Sequence, residues 1–333
     1  MNLRHALFDL SAEHQLSAAQ ARQLQQFAGL AAEPPQLARW LPRGVAVLAT
    51  GLGGLGVVMW VAANWADWGR TGRFGLLQAL VLLAALGAAT LPKARTALGL
   101  LCLMGVGALL AFFGQTYQTG ADPWQLFALW AALALPLCLG ARSDALWMPW
   151  AVVVSTGIAL WTFTHLGHRW RVAPDDLPVQ ALAWLATLAL VAGLSPAAHR
   201  LTGAGIWAQR TAITLSVLGF TMTALGGLFH DTVAPQYALG LLAMVVTAAA
   251  LSTPRWFDIF ALSAVTLALN ALLVSGLARW LFNRHQSDWI GAMLLLGLTA
   301  AGLLAASVSG ILRLSRRASL AATLPAATGQ ARP

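Results

Sequence analysis

Amide, phenol and carboxylate groups stand close together in one short polar stretch of this chain, at Gln115, Tyr117, Gln118 and Asp122, between two long apolar runs. Leaving such groups buried and unpaired costs on the order of 1 to 3 kcal/mol each. They must therefore be hydrated, paired with one another, or holding a ligand. Asn64, Asp67 and Arg70 make a similar cluster after the first apolar run. The candidate ligand-binding residues are accordingly Gln115, Tyr117, Asp122, Asn64 and Asp67. No catalytic residue can be named, because spacing alone supports no Ser, His and Asp or Cys and His arrangement. An enzyme built on this chain would use Asp67 or Asp122 as its acid or base.

His165-x-x-His168, with Asp175 and Asp176 close by, has a spacing that two metal ligands on a helix can use. Histidines at a membrane interface are commonly just solvated, so no metal and no cofactor is assigned; His165 and His168 are the positions to inspect for one. Cys102 and Cys138 fall on consecutive apolar runs that form a hairpin, and read as buried free thiols used for packing. Gly51, Gly53 and Gly56 spell G-x-G-x-x-G. A dinucleotide site needs that motif between a strand and a helix, whereas here it lies inside an apolar run, where close helix packing is the reading. Gly302, Ala306 and Gly310 make a second small-residue face. Ser263, Thr266 and Asn270, at i, i+3 and i+7, form a polar helix face suited to hydrogen bonds between helices.

The elements that position these groups are set by composition. Of 333 residues, 59% are hydrophobic and 9% charged, too few charges for a water-soluble surface. The apolar residues fall into ten runs, 44–64, 74–91, 97–113, 124–139, 145–163, 178–194, 207–229, 235–251, 257–276 and 289–312. Each approaches the length that a helix rising about 1.5 Å per residue needs to cross about 30 Å of hydrocarbon. The fold class is all-α, a polytopic helical membrane protein of about ten transmembrane helices. No Lys, Arg, Asp or Glu falls at a predicted bilayer centre, which counts against a proton pump or an ion-coupled carrier.

With an even number of spans and a cytoplasmic start, 14 of the 20 Lys and Arg residues lie on the cytoplasmic side and six outside. This places both termini in the cytoplasm and the protein in a bacterial inner membrane, with the turn after Gly114 outside. The net charge of +9 is then topological and lipid-directed, and nucleic acid is not a partner. Most of the 15 tryptophans fall at span ends, as an interfacial belt does, while Trp130 and Trp184 sit deeper. Residues 1–42 read as a cytoplasmic helical head, with Ser17 and Gln20 at capping-box spacing and an apolar stripe that could meet a protein partner. Residues 43–313 form the transmembrane bundle and 314–333 an unstructured cytoplasmic tail.

The stretch Gly114-Gln-Thr-Tyr-Gln-Thr-Gly-Ala-Asp-Pro-Trp124, followed by Leu126, Phe127, Leu129 and Trp130, resembles the signature of the bacterial predicted membrane proteins called domain of unknown function 2157. The short helical head and Ala63-Asn64-Trp65 agree with it. The resemblance covers about residues 10–140. It implies a multi-span inner-membrane protein and carries with it no activity and no catalytic residue. Read physically, Gly120 allows a positive φ, Asp122 and Pro123 open a helix, and Trp124 anchors at the interface.

Three functions fit. A small-solute binder or permease would open its pocket between the outer hairpin tips; a scaffold or sensory subunit would hold partners through its head and small-residue faces; a membrane-embedded enzyme would need its site inside the bundle, since the loops are short. The balance leans to solute handling.

Overall fold

The computed structural model describes residues 3–28, 35–63, 67, 69–117, 120, 122–254, 256–284 and 289–323. Among them there are helices and no strands: α1 (Leu3–Glu13), α2 (Ala18–Phe27), α3 (Pro35–Ala63), α4 (Arg70–Thr90), α5 (Arg95–Tyr117), α6 (Pro123–Ala141), α7 (Asp144–His165), α8 (Leu177–Gly193), the one-turn α9 (His199–Thr202), α10 (Ile206–Leu228), α11 (Pro235–Leu251), α12 (Ile259–Arg284) and α13 (Trp289–Thr323).

Nine of these, with α8 counted together with the helical turn Pro174–Asp176 that leads into it, are among the described residues long and apolar enough to cross a membrane by length and composition. The tenth apolar helix, α11, has 17 residues and rises only about 26 Å, the lower limit for a span. The ten apolar runs thus become ten apolar helices.

By contacts the chain divides into Met1–Gly56 and Val57–Pro333. In the first unit the capping box forms as expected. The Ser17 backbone N–H donates to Gln20 Oε1 at 3.0 Å, and the Gln20 N–H points back to Ser17 Oγ at 3.4 Å. The expected head boundary at residue 42 falls within α3, which continues through Pro42. Gly51, Gly53 and Gly56 have open space where a side chain would begin, so the packing role expected of them finds no neighbour among the described residues.

The second unit is organised around α10. It is buried along its length at Ala208, Ala212, Ile213, Ser216, Phe220, Thr221, Ala224, Gly227 and Leu228, and it packs on α7, α8, α11 and α12. Lipid tails are as apolar as leucine, so transmembrane helices associate where small residues let backbones approach. Gly240 of α11 shows this: a Cβ there would lie 2.7 Å from Ala224 Cβ. Leucines that a soluble core would bury, such as Leu83, Leu185 and Leu298, are exposed and face lipid.

Short-range contacts tie neighbouring loops into two ends. At one, which we call the Asp144 end, the Asp144 carboxylate accepts from the N–H groups of Gly205 (2.6 Å) and Trp207 (3.1 Å), capping α10, while Arg142 donates to the Arg200 carbonyl and Trp147 to the Thr202 carbonyl. At the Asp122 end, Gln236 donates to the Ala173 carbonyl at 2.6 Å and Arg279 to the carbonyls of His230 and Asp231.

Three expectations change. Trp147 is 1% exposed and Trp150 donates to the Ala131 carbonyl, so both belong to the core and not to the interfacial belt; Trp130, deep in its span as expected, donates to the Leu103 carbonyl. Each indole N–H finds a carbonyl on a neighbouring segment, which is what lets so large a ring be buried. On α12, Ser263 and Thr266 bond carbonyls of their own helix, and Asn270 alone crosses, to Ser307 of α13 at 2.9 Å. Lastly, α13 continues as helix to Thr323, past the start expected for the tail.

Candidate functional site

The residues singled out by sequence take separate places. Asn64 lies outside the described residues, and Asp67 is exposed in a turn. Gln115 is exposed near the end of α5. Tyr117, 51% exposed, closes that helix with its ring 4.9 Å from Phe113 and 5.7 Å from Phe74, so it joins an aromatic cluster between α4 and α5. Gly120 has φ +66°, the left-handed conformation its position suggested. Asp122 precedes α6 with Pro123 at the first turn, but its carboxylate makes no cap; His168 Nε2 lies 3.9 Å away. His165 points elsewhere, its Nδ1 2.8 Å from the Trp161 carbonyl and its ring against Trp161 and Trp124. His165 and His168 therefore do not converge, although Asp122 and His168 do. Cys102 and Cys138 are both buried and free.

A cavity of about 420 Å³ lies elsewhere, between α7, α8 and α10. None of the residues above lines it. Its walls are mostly apolar, and three of the residues along it each carry a buried side-chain atom that has no hydrogen-bond partner: Ser155 Oγ, Gln180 Oε1 and Trp184 Nε1. Gln180 is 2% exposed. A buried amide oxygen without a donor is uncommon, because desolvating it is not repaid. The Trp184 indole is held flat on Phe220, with ring centroids 4.6 Å apart and planes at 14°, so its N–H cannot swing away to find a carbonyl. Thr187, one turn deeper on the same face, is satisfied by the Trp184 carbonyl, and its own carbonyl accepts from Ser216.

The position of the cavity follows from where the helices pack tightly. Toward the Asp144 end, Ala151, Leu190, Ala208 and Ala212 join one buried cluster with Trp147, which closes the floor. Toward the Asp122 end α7 and α10 leave room, and half-exposed Val152, Leu218 and Met222 border it, so the cavity opens sideways to lipid. A Cβ built on Gly219, in the same wall, would meet nothing within 4 Å. Arg169 and Trp170 complete the lining. The chain returns there through Gly167 (φ +67°) and His168 (φ +61°), with the His168 N–H donating to the Phe163 carbonyl at 2.9 Å. That turn closes α7 in the manner of a Schellman motif. It sets Arg169 Nε against the Leu166 carbonyl at 3.2 Å and stacks Trp170 on Phe163.

The polar stretches that stand out in the sequence lie in the loops, whereas this cavity lies inside the bundle. The signal was present in Gln180, Trp184 and Thr187 at i, i+4 and i+7, and in a tryptophan placed deep in a span against its interfacial preference. A second groove of about 380 Å³, between α6, α7 and α8, includes Trp124, whose buried indole N–H has no partner.

Apolar helices packed through small residues, with leucines facing outward, define a multi-pass integral membrane protein. Residues 9–147 of the chain match the model of the family described as "Predicted membrane protein (DUF2157)". No curated protein and no solved structure matches the chain. The family match ends in the first turn of α7, so the cavity is built from the part of the chain beyond it.

Proposed function

We propose that this protein binds a small ligand inside the membrane, in the cavity between α7, α8 and α10, and that binding or handling a solute there is its function. The observation that carries the reading is that three residues lining a single cavity, Ser155, Gln180 and Trp184, each hold a buried polar atom without a partner. The size lies within the range of ligand pockets, and an apolar wall with a few convergent polar groups is their usual character. The closed floor favours binding over a continuous pore. The hairpin residues Gln115, Tyr117, Asp122, Asn64 and Asp67 remain a second proposed site. The 14 to 6 division of positive charge supports an inner-membrane orientation with the Asp144 end in the cytoplasm and the cavity in the outer half.

The test is thiol accessibility in full-length detergent-purified protein carrying Cys102→Ala and Cys138→Ala. Ser155→Cys should react with a small, charged, water-soluble thiol reagent about tenfold or more faster than Leu185→Cys, which faces lipid at similar depth, because the reactive thiolate forms only where water reaches. Adding Gly219→Leu should slow the reaction by filling the cavity. Equal, slow labelling at both positions would mean that water-borne solutes do not reach the cavity, and the solute-binding reading would fall.

A further inference from the structure

We infer that the ligand is a single-chain anionic glycerolipid, with its phosphate at Arg169 and its acyl chain in the cavity; the inference rests on the binding reading above. The polar groups are graded in depth. Counted from the helix ends at about 1.5 Å per residue, Gln180 lies roughly 5 Å in, Trp184 roughly 10 Å and Ser155 roughly 15 Å. Arg169 stands at the mouth with Nε on the Leu166 carbonyl. Among the described residues no carboxylate pairs with it, and the two terminal nitrogens of its guanidinium have no partner. A guanidinium fork left open in this way suits a phosphate.

Below the mouth the requirements change sign. Gln180 Oε1 needs a donor and Trp184 Nε1 needs an acceptor. A free glycerol hydroxyl supplies the first and an ester carbonyl the second, in that order down from a phosphate. Ser155 lies beneath both, and a serine hydroxyl in a helix can turn to the carbonyl one turn back. The sideways opening past Val152, Leu218 and Met222 suits an apolar chain that enters from the bilayer, and the closed floor limits its depth. A diacyl lipid has two chains for one cavity, whereas a water-soluble phosphate ester would leave the apolar walls uncovered.

Native mass spectrometry of the full-length protein in mild detergent separates these possibilities, with monooleoyl lysophosphatidic acid, monooleoyl lysophosphatidylcholine and glycerol 3-phosphate as probes. Lysophosphatidic acid should be retained in preference to the other two. Arg169→Gln, an exposed position that leaves folding intact, should weaken its binding roughly tenfold, the loss expected of one charge-assisted contact. Trp184→Phe keeps the stack on Phe220 and should weaken it about fivefold through the lost N–H. Equal retention of the two lysolipids, or an unchanged affinity in Arg169→Gln, overturns the anionic assignment. Retention of glycerol 3-phosphate as good as that of the lysolipid overturns the lipid assignment. If no probe binds while Ser155→Cys is still labelled rapidly and Gly219→Leu still blocks it, the ligand class is wrong and the cavity remains a site; if labelling fails too, both readings fall.

Discussion

Tyr117 and Asp122 have the side chains that first suggest chemistry, and their surroundings give each a mechanical part as well. The Tyr117 ring packs on Phe74 and Phe113, while Asp122 opens α6 beside His168. Tyr117→Phe keeps the ring, and Asp122→Asn keeps the shape of a half-exposed group. Both variants, with Gln115→Ala, should leave protein abundance unchanged and stability within about 0.5 kcal/mol. Gly120→Val should lower it by about 1 to 2 kcal/mol, because φ +66° is strained for any side chain with a β-branch. Thermal unfolding in detergent would read these values. Polar variants that keep full abundance but lose ligand binding or a cellular phenotype would move the functional site to the hairpin.

At the scale of elements, the sequence showed the ten apolar helices and the capping box, because both depend on local pattern: run length in one case, a three-residue spacing in the other. It could not show which helix would be central. Neither α10 nor α5 shows an apolar face set against a polar one, so nothing in their patterns says which is central; the difference lies in which neighbours surround them. The same holds for Asn270, which read as one of a polar face. Its partner Ser307 sits 37 residues away within another apolar run and makes no pattern with it. The pair also gives a measurable helix contact. A double-mutant cycle of Asn270→Ala and Ser307→Ala should return a coupling of about 0.6 kcal/mol, the usual worth of such bonds within membranes, and a value near zero would remove α12 and α13 from the list of polar-bonded pairs. The cavity was legible only as odd residues: a tryptophan too deep in a span, with a glutamine one turn above it. Their emptiness of partners is a property of packing, and no spacing announces it.

At the scale of the molecule, the prediction is orientation. Alkaline phosphatase should be active when fused after Gly120 and inactive when fused near Arg332, with the reverse pattern for a cytoplasmic reporter, as the charge division requires. Activity of the phosphatase at Arg332 would invert the map and put the cavity in the cytoplasmic half. In either orientation one mechanical fact holds. Asp144 clasps the start of α10 from the start of α7, and alanines close the gap behind it. Ser155 lies roughly 16 Å further along α7, beside the cavity that the two helices border. The pair is therefore held at both ends, by Asp144 at one and, just past α7, by Val172 against Gly226 and Ala173 bonded to Gln236 at the other, so whatever enters between them bows their middles instead of spreading their tips. The width of that gap at its middle, measured by paired probes on α7 and α10, is where the presence of an occupant would be felt.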